Sequence, residues 1–191
     1  MMTNKKLIYI TGPTGIGKTD ISIILAKKLK TEIISCDSRQ FYKELKIGTS
    51  PPTKKQLSEV NHYFIHNKSI HDTYNVGLYE KEAIGVINEL FNKNDNIILV
   101  GGSGLYADSI IYGIDDFPDI PVTIRDKIIK QYNSKGIEHI QNRLKSLDPE
   151  YYNEVDFNNT NRMIRALEVI EYTDKKFSSY RTSKRKQRNF E

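Results

Sequence analysis

The sequence has one cysteine, Cys36, so no disulfide can form within the chain. It has no apolar run approaching the ~20 residues that a membrane-spanning helix needs. A secretory leader pattern is missing too. Met1–Lys6 is short and polar and leads straight into an apolar segment, without the apolar stretch and small-residue cleavage site of a signal peptide. Internal repeats and low-complexity tracts are likewise not found. These absences predict a cytoplasmic protein with no membrane partner.

What is present is a globular composition. Of 191 residues, 38% are hydrophobic and 28% charged, a balance that supports a packed core rather than a disordered chain. That length suffices for one core, or a core with a small appended unit. The net charge of +5 is compatible with an RNA partner without demonstrating one. The stretch Lys175–Arg188 gathers Lys175, Lys176, Arg181, Lys184, Arg185, Lys186 and Arg188 with no acid among them. Such a tail could contact phosphates, or it could be a solvated, frayed end.

Apolar runs at Lys6–Thr11, Glu32–Cys36 and Asn96–Val100 read as strands. Helical spacing of apolar residues follows over Asp20–Leu29, Leu78–Phe91 and Leu105–Tyr112. The pattern weakens between Phe41 and Asn75, where Pro51-Pro52 forbids helix. Strand–loop–helix alternation of this kind predicts a parallel sheet with helices on both faces. After Gly113 the texture changes. A turn-rich link, Asp115–Pro121, precedes three helical patterns at Thr123–Asn133, Ile137–Leu147 and Asn161–Tyr172, with a further helix start at Asp148-Pro149. The chain is therefore expected to divide into an α/β core over 1–113 and a helical unit with a basic tail over 114–191.

The segment Gly12-Pro13-Thr14-Gly15-Ile16-Gly17-Lys18-Thr19 fits G-x-x-x-x-G-K-[ST] at every fixed position, between a strand and an amphipathic helix. Glycines let the backbone curl so that successive N–H groups point at one anion. The following helix adds the positive end of its dipole. Lys18 supplies a mobile charge for terminal phosphates, and the Thr19 hydroxyl can ligate a Mg²⁺ bridging phosphate oxygens. The ligand therefore carries a di- or triphosphate. The motif is that of nucleotide-binding, ATP-binding proteins, but the loop alone does not distinguish a nucleotide from another pyrophosphate.

Ligands of open α/β sheets bind at the carboxyl ends of strands. Asp37 follows the second strand directly, and three readings fit it: a Mg²⁺ ligand, a general base, or an acid capping a nearby backbone N–H. Gly101-Gly102-Ser103-Gly104 follows the third strand, where glycines permit either close approach to a ligand or merely a tight turn.

Four blocks in this order, GPTGIGKT, DSRQFYKELKIGTSPP from Asp37, LVGGSGLYADSII from Leu99 and NRMIRALEV from Asn161, resemble the tRNA dimethylallyltransferase (tRNA isopentenyltransferase) family. The resemblance spans nearly the whole chain, which reads as lacking the family's C-terminal part. It implies a P-loop NTPase-like core with a small all-helical insertion domain, and transfer of a dimethylallyl group from its pyrophosphate to N6 of the adenosine 3′ of the anticodon. On this reading Gly12, Pro13, Thr14, Gly15, Ile16, Gly17, Lys18 and Thr19 hold the pyrophosphate with Mg²⁺ on Thr19. Asp37, Ser103 and Lys18 are catalytic. Ser103 stands where the family usually has Thr, and the hydroxyl is kept. Asp37, Ser38, Arg39, Gln40, Ser103, Arg125, Asn161, Arg162, Met163, Ile164 and Arg165 meet the tRNA anticodon stem-loop. The expected protein is a monomer.

His62, His66, His71 and His139 form no metal-ligand pattern, and His62 is expected to pack locally. Tyr42, Tyr74 and Tyr106 could stack on bases, though most tyrosines pack. Competing functions are a nucleotide or small-molecule kinase using the same loop, and a non-catalytic RNA-binding module.

Overall fold

The apolar run after Lys5 forms strand β1 (Lys6–Ile10). Helix α1 (Lys18–Leu29) follows the P-loop and ends at Lys30, whose left-handed backbone lets its N–H reach the carbonyls of Ala26 and Lys27. Strand β2 (Ile33–Ser35), helix α2 (Lys54–Glu59), strand β3 (His62–Tyr63), helix α3 (Val76–Phe91), strand β4 (Asn96–Val100) and helix α4 (Gly104–Ile111) complete the first part of the chain. This computed structural model describes residues 4–182 and 184–191. Met1, Met2 and Thr3 of the polar lead lie outside the described residues.

The strands pair in the order β1-β4-β2-β3, all parallel. β2 and β4 are buried on both faces, which is why their sequences are continuous apolar runs rather than alternating ones. On one face Ile33, Ile98 and Val100 pack with Ile23 and Ala26 of α1. On the other, Ile34, Ile97 and Leu99 pack with Tyr79, Ala83 and Ile87 of α3 and Ala107 and Ile110 of α4. Each such aliphatic side chain contributes roughly 1.5–3 kcal/mol by leaving water. The two-layered cover is the α/β architecture expected from the alternating pattern.

Two compact units result, Met1–Ile114 with Arg185–Glu191, and Asp115–Lys184. All regular elements described in the second are helical. Helix α5 (Val122–Leu147) is interrupted at Gly136, whose φ of 78° and ψ of 179° leave the helical region, so it is two helices meeting where the sequence suggested a break. Helix α6 (Pro149–Glu154) starts at Asp148 with proline in its first turn, and α7 (Thr160–Thr173) leads to a 3₁₀ turn at Phe177–Tyr180. Ile128, Ile140, Leu144, Met163, Leu167 and Ile170 form a second core.

The final segment departs from the sequence reading, which gave all of 114–191 to the helical unit. Arg185–Glu191 folds with the α/β unit instead. Lys186 N–H donates to Tyr112 O at 2.8 Å, Leu7 N–H to Glu191 O at 2.8 Å, and Glu191 N–H to Lys5 O at 2.9 Å. Arg188 donates to Glu80 Oε1 at 2.7 Å and to the carbonyls of Ile110 and Ser109, with its side chain only 13% exposed. Arg185 lies over the Tyr112 ring. Lys186 and Arg188 are therefore not free for phosphates: Glu80 of α3 pairs with both, and the Ser109 and Ile110 carbonyls of α4 accept from Arg188.

Candidate active site

The P-loop bends because its glycines reach backbone angles closed to other residues. Gly15 and Gly17 have φ of 84° and 93°, and Gly17 sits at the N-cap of α1 without any side chain to cover the helix's first N–H groups. Those donors are left for an anion. The Lys18 ammonium folds back onto the loop, donating to Gly12 O at 2.8 Å and Pro13 O at 2.6 Å. It is tethered by carbonyls that a phosphate oxygen would outcompete.

A cavity of about 230 Å³ opens beside this loop. Thr14, Gly15, Gly17, Lys18 and Thr19 line one side, and Ser35, Asp37, Gln40, Pro51, Gln56, His62 and Gly101 the rest. Asp37 and Lys18 therefore share one chamber. Asp37 also does local work: its Oδ1 accepts the Arg39 N–H at 3.1 Å, and its own N–H reaches Ser35 Oγ at 3.3 Å. Its Oδ2 has no partner among the described residues. A second, open hollow of about 450 Å³ runs along α5 beside Asp126, Lys127 and Lys130.

The β2 and β4 ends are joined by hydroxyls and by a glycine. Ser103 Oγ accepts the Ser38 N–H at 3.1 Å and lies 3.1 Å from Ser38 Oγ. Ser103 is the N-cap residue of α4, yet its side chain makes no cap bond, being turned to Ser38. A Cβ on Gly101 would stand 2.6 Å from Cys36 Sγ and 2.8 Å from both Cys36 C and Asp37 N. The close approach at Gly101 is to the chain's own backbone at Cys36 and Asp37, not to a ligand.

Gln40 spans rather than reaches outward. Its amide donates to Thr49 O and Ser50 O at 3.0 and 3.1 Å, fixing the proline loop. Arg39 is exposed. Two wall residues escaped the sequence reading. Gln56 belongs to a capping box with Thr53 and donates to Asp20 Oδ1 at 2.7 Å, tying α2 to α1. The T-x-x-Q spacing was the available signal. His62, read as local packing, lines the cavity. Its Nδ1 faces Val60 O at 2.8 Å, which makes Nδ1 the protonated nitrogen, and Nε2 is buried without a partner. Burial lowers its pKa, so the ring is neutral at pH 7.

Tyr74 and Tyr106 pack edge-on against Phe41, and Tyr79 stacks on it, so these rings build core. Cys36 is buried beside them, and burial first, then the Asp37 charge, pushes its thiol up to about 12. It is inert at neutral pH. Among the described residues no group of three or more His, Cys, Asp and Glu could hold a metal by itself. Magnesium does not require one, since it keeps waters and phosphate oxygens as ligands and takes one or two protein groups. The Thr19 hydroxyl on the cavity wall fits that pattern.

In the second unit, Arg125 and Arg165 are each 40% exposed and both bind the buried Glu168. Asn161 and Arg162 are exposed at the start of α7. Met163 and Ile164 are 0% and 4% exposed and pack inward, so their side chains bear on an RNA only by supporting their neighbours. No helix among the described residues is long and apolar enough to cross a membrane.

Comparison with known proteins is consistent across sequence and structure. The sequence model of the IPP transferase family matches residues 40–191. A tRNA dimethylallyltransferase of Flavobacterium johnsoniae is 50% identical, over 97% of this chain and 62% of its own length. A tRNA dimethylallyltransferase 1 of Bacteroides fragilis is 45% identical, over 99% of this chain and 63% of its own. The crystal structure of the tRNA isopentenylpyrophosphate transferase of Bacillus halodurans aligns at 34% identity with a TM-score of 0.55, covering 88% of this chain and 56% of that one. A eukaryotic dimethylallyltransferase acting on tRNA aligns at 26% identity with a TM-score of 0.78, over 97% and 47% of the two chains. The chain thus spans about three fifths of the length of the curated relatives it matches.

Proposed function

The chain belongs to the IPP transferase family, and from that premise we propose that it serves prenylation of tRNA. The reaction moves a dimethylallyl group from dimethylallyl pyrophosphate to N6 of the adenosine 3′ of the anticodon. The observation that carries this reading is the shared chamber, with an anion cradle around Lys18 on one wall and the Asp37 carboxylate on another.

The bond from the allylic carbon to the diphosphate oxygen breaks, and its electron pair leaves with the diphosphate. The N–H groups of the P-loop and the Lys18 ammonium stabilise that charge as it develops. A Mg²⁺ held by the Thr19 hydroxyl would add charge neutralisation on the departing diphosphate. The N6 lone pair of adenine forms the new bond to carbon. Conjugation makes this amine a weak nucleophile, so Asp37, through its unengaged Oδ2, takes the N6 proton. Ser103 braces Ser38 and with it the Asp37 turn. The target base leaves its stack to reach the chamber. Arg125, Asn161, Arg162 and Arg165 contact phosphates of the anticodon stem-loop, positioning it without reading sequence. The protein acts as a cytoplasmic monomer.

The test is transfer of label from dimethylallyl pyrophosphate to unmodified tRNA carrying adenosine 3′ of the anticodon. Parallel arms offer AMP, and ATP with kinase acceptors. Label in tRNA is the expected result. Label in AMP alone, or phosphoryl transfer from ATP, would overturn the assignment. Binding of tRNA without transfer would identify an RNA-binding module instead.

A further inference from the structure

α7 carries Glu168 in its middle, and that side chain is only 4% exposed. Its two oxygens are divided between two arginines. Oε1 accepts from Arg125 Nη1 at 2.6 Å, and Oε2 accepts from Arg165 Nη1 at 3.0 Å. One guanidinium comes from α5 and the other from α7 itself, three residues before the acid. Neither pairing is a two-nitrogen fork. Each guanidinium spends one nitrogen on the carboxylate and, at 40% exposure, keeps further N–H groups toward solvent. Arg165 is steadied by the Phe117 ring, 5.9 Å from its guanidinium carbon.

We propose that Glu168 is a positioning residue that holds Arg125 and Arg165 as one paired clamp for phosphate oxygens of the RNA. This rests on the prenyltransferase reading given above. Two guanidiniums repel each other and, on flexible stems, would splay apart. A single carboxylate between them cancels half their charge and fixes their separation, and the pair still carries one net positive charge outward. Pre-ordering two long side chains removes an entropy cost that RNA binding would otherwise bear. Stability alone explains the arrangement poorly, because a buried ion group is often no more stabilising than an apolar residue of similar volume. One turn on, Glu171 gathers Lys127 and Arg143 in the same manner, so these α7 acids organise more cations than they neutralise.

The test is binding of a fluorescently labelled, unmodified anticodon stem-loop across a salt series, using Glu168→Gln in the whole chain. This substitution makes the protein more positive, so a purely electrostatic role predicts tighter binding. The clamp predicts the reverse: affinity about tenfold lower at ~0.1 M salt, with the slope of log affinity against log salt shallower by about one. Inorganic pyrophosphate binding at the P-loop stays as in the wild type. Glu168→Met keeps α5 and α7 packed, shows the same RNA loss, and guards against a folding defect in the glutamine variant. In an Arg125→Gln, Arg165→Gln background the Glu168 change has no further effect. Unaltered or tighter RNA binding by both Glu168 variants, or a loss that persists without the arginines, overturns the clamp while the prenyltransferase reading stands. A wild-type chain that does not bind the stem-loop at all overturns both.

Discussion

The two units would present positive charge to their proposed ligands in different ways. In the α/β unit the donors are mostly main chain, gathered by the turn from β1 into α1, and the one mobile cation rests on carbonyls of the same loop. In the helical unit the proposed donors are side chains, two of which, Arg125 and Arg165, are braced by Glu168 of α7. A backbone site is fixed by local dihedral angles and tolerates little change of geometry. A side-chain site is fixed by packing and ion pairing across helices, and its parts can be removed one at a time. The first suits a small ligand of constant shape, the second a long anion whose register is set by several spaced contacts.

The contrast can be tested by substitution, starting with the largest effect. Asp37→Ala should lower the rate of prenyl transfer by roughly 10²–10⁴ while leaving diphosphate affinity intact. Lys18→Ala should weaken pyrophosphate binding by roughly 10². Calorimetric titration with pyrophosphate beside single-turnover rates separates the two, and equal loss of binding in both would break the division between cradle and base. Within the fold, Gly101→Ala should cost roughly 3 kcal/mol, because its Cβ would strike Cys36 and the Asp37 backbone. The helical counterpart is Asp148→Ala. The buried Asp148 carboxylate accepts the Tyr151 N–H at 3.1 Å, the Ser178 hydroxyl at 2.9 Å and the Ser178 N–H at 2.8 Å, so its loss should cost about 2–3 kcal/mol. Hydrogen exchange resolved by segment checks both, each substitution being expected to lower protection chiefly in its own unit. Equal loss in both units would mean that they unfold as one.

Acid should produce the smallest effect. Burial opposes ionisation of Glu171, but hydrogen bonds from Lys127 and Arg143 outweigh it and hold its carboxyl below the usual 4.5. Its contribution is present above the unfolded value near 4.5 and fades as pH falls through the lowered folded value. His62 differs in its range. Burial lowers its pKa from 6.5, so the unfolded chain binds the proton first and the α/β unit loses stability as pH drops below 6.5. Urea midpoints measured from pH 7 to 3 should show this earlier decline flattened in His62→Gln, and the later one flattened in Glu171→Gln.

Legibility in the sequence followed the range of the interactions. The P-loop, the strand ends and Asp37 were readable because a strand, a glycine turn and a helix N-terminus are specified by adjacent residues. β3, only two residues long, was missed, since its existence depends on pairing with β2 rather than on its own pattern. The tail was misassigned for a similar reason. Lys186 and Arg188 look free until Glu80, 108 positions before Arg188, is brought beside them. Met163 and Ile164 were grouped with tRNA contacts through the family resemblance, although the apolar spacing through Ala166, Leu167, Val169 and Ile170 places them on the inward face of α7. The Glu168 pairing lay beyond reach, because nothing local in sequence links it to Arg125.

The hydrogen bond between Lys186 N–H and Tyr112 O, 2.8 Å long, brings the exit and return of the polypeptide together at one spot on the α/β unit. The two chain connections of the helical unit therefore start from neighbouring residues of the α/β unit. A short glycine bridge from Tyr112 to Lys186 would excise the helical unit together with Gly113, Ile114 and Arg185 of the α/β unit, and a foreign helical module could be spliced in at the same joint without lengthening any path through the sheet.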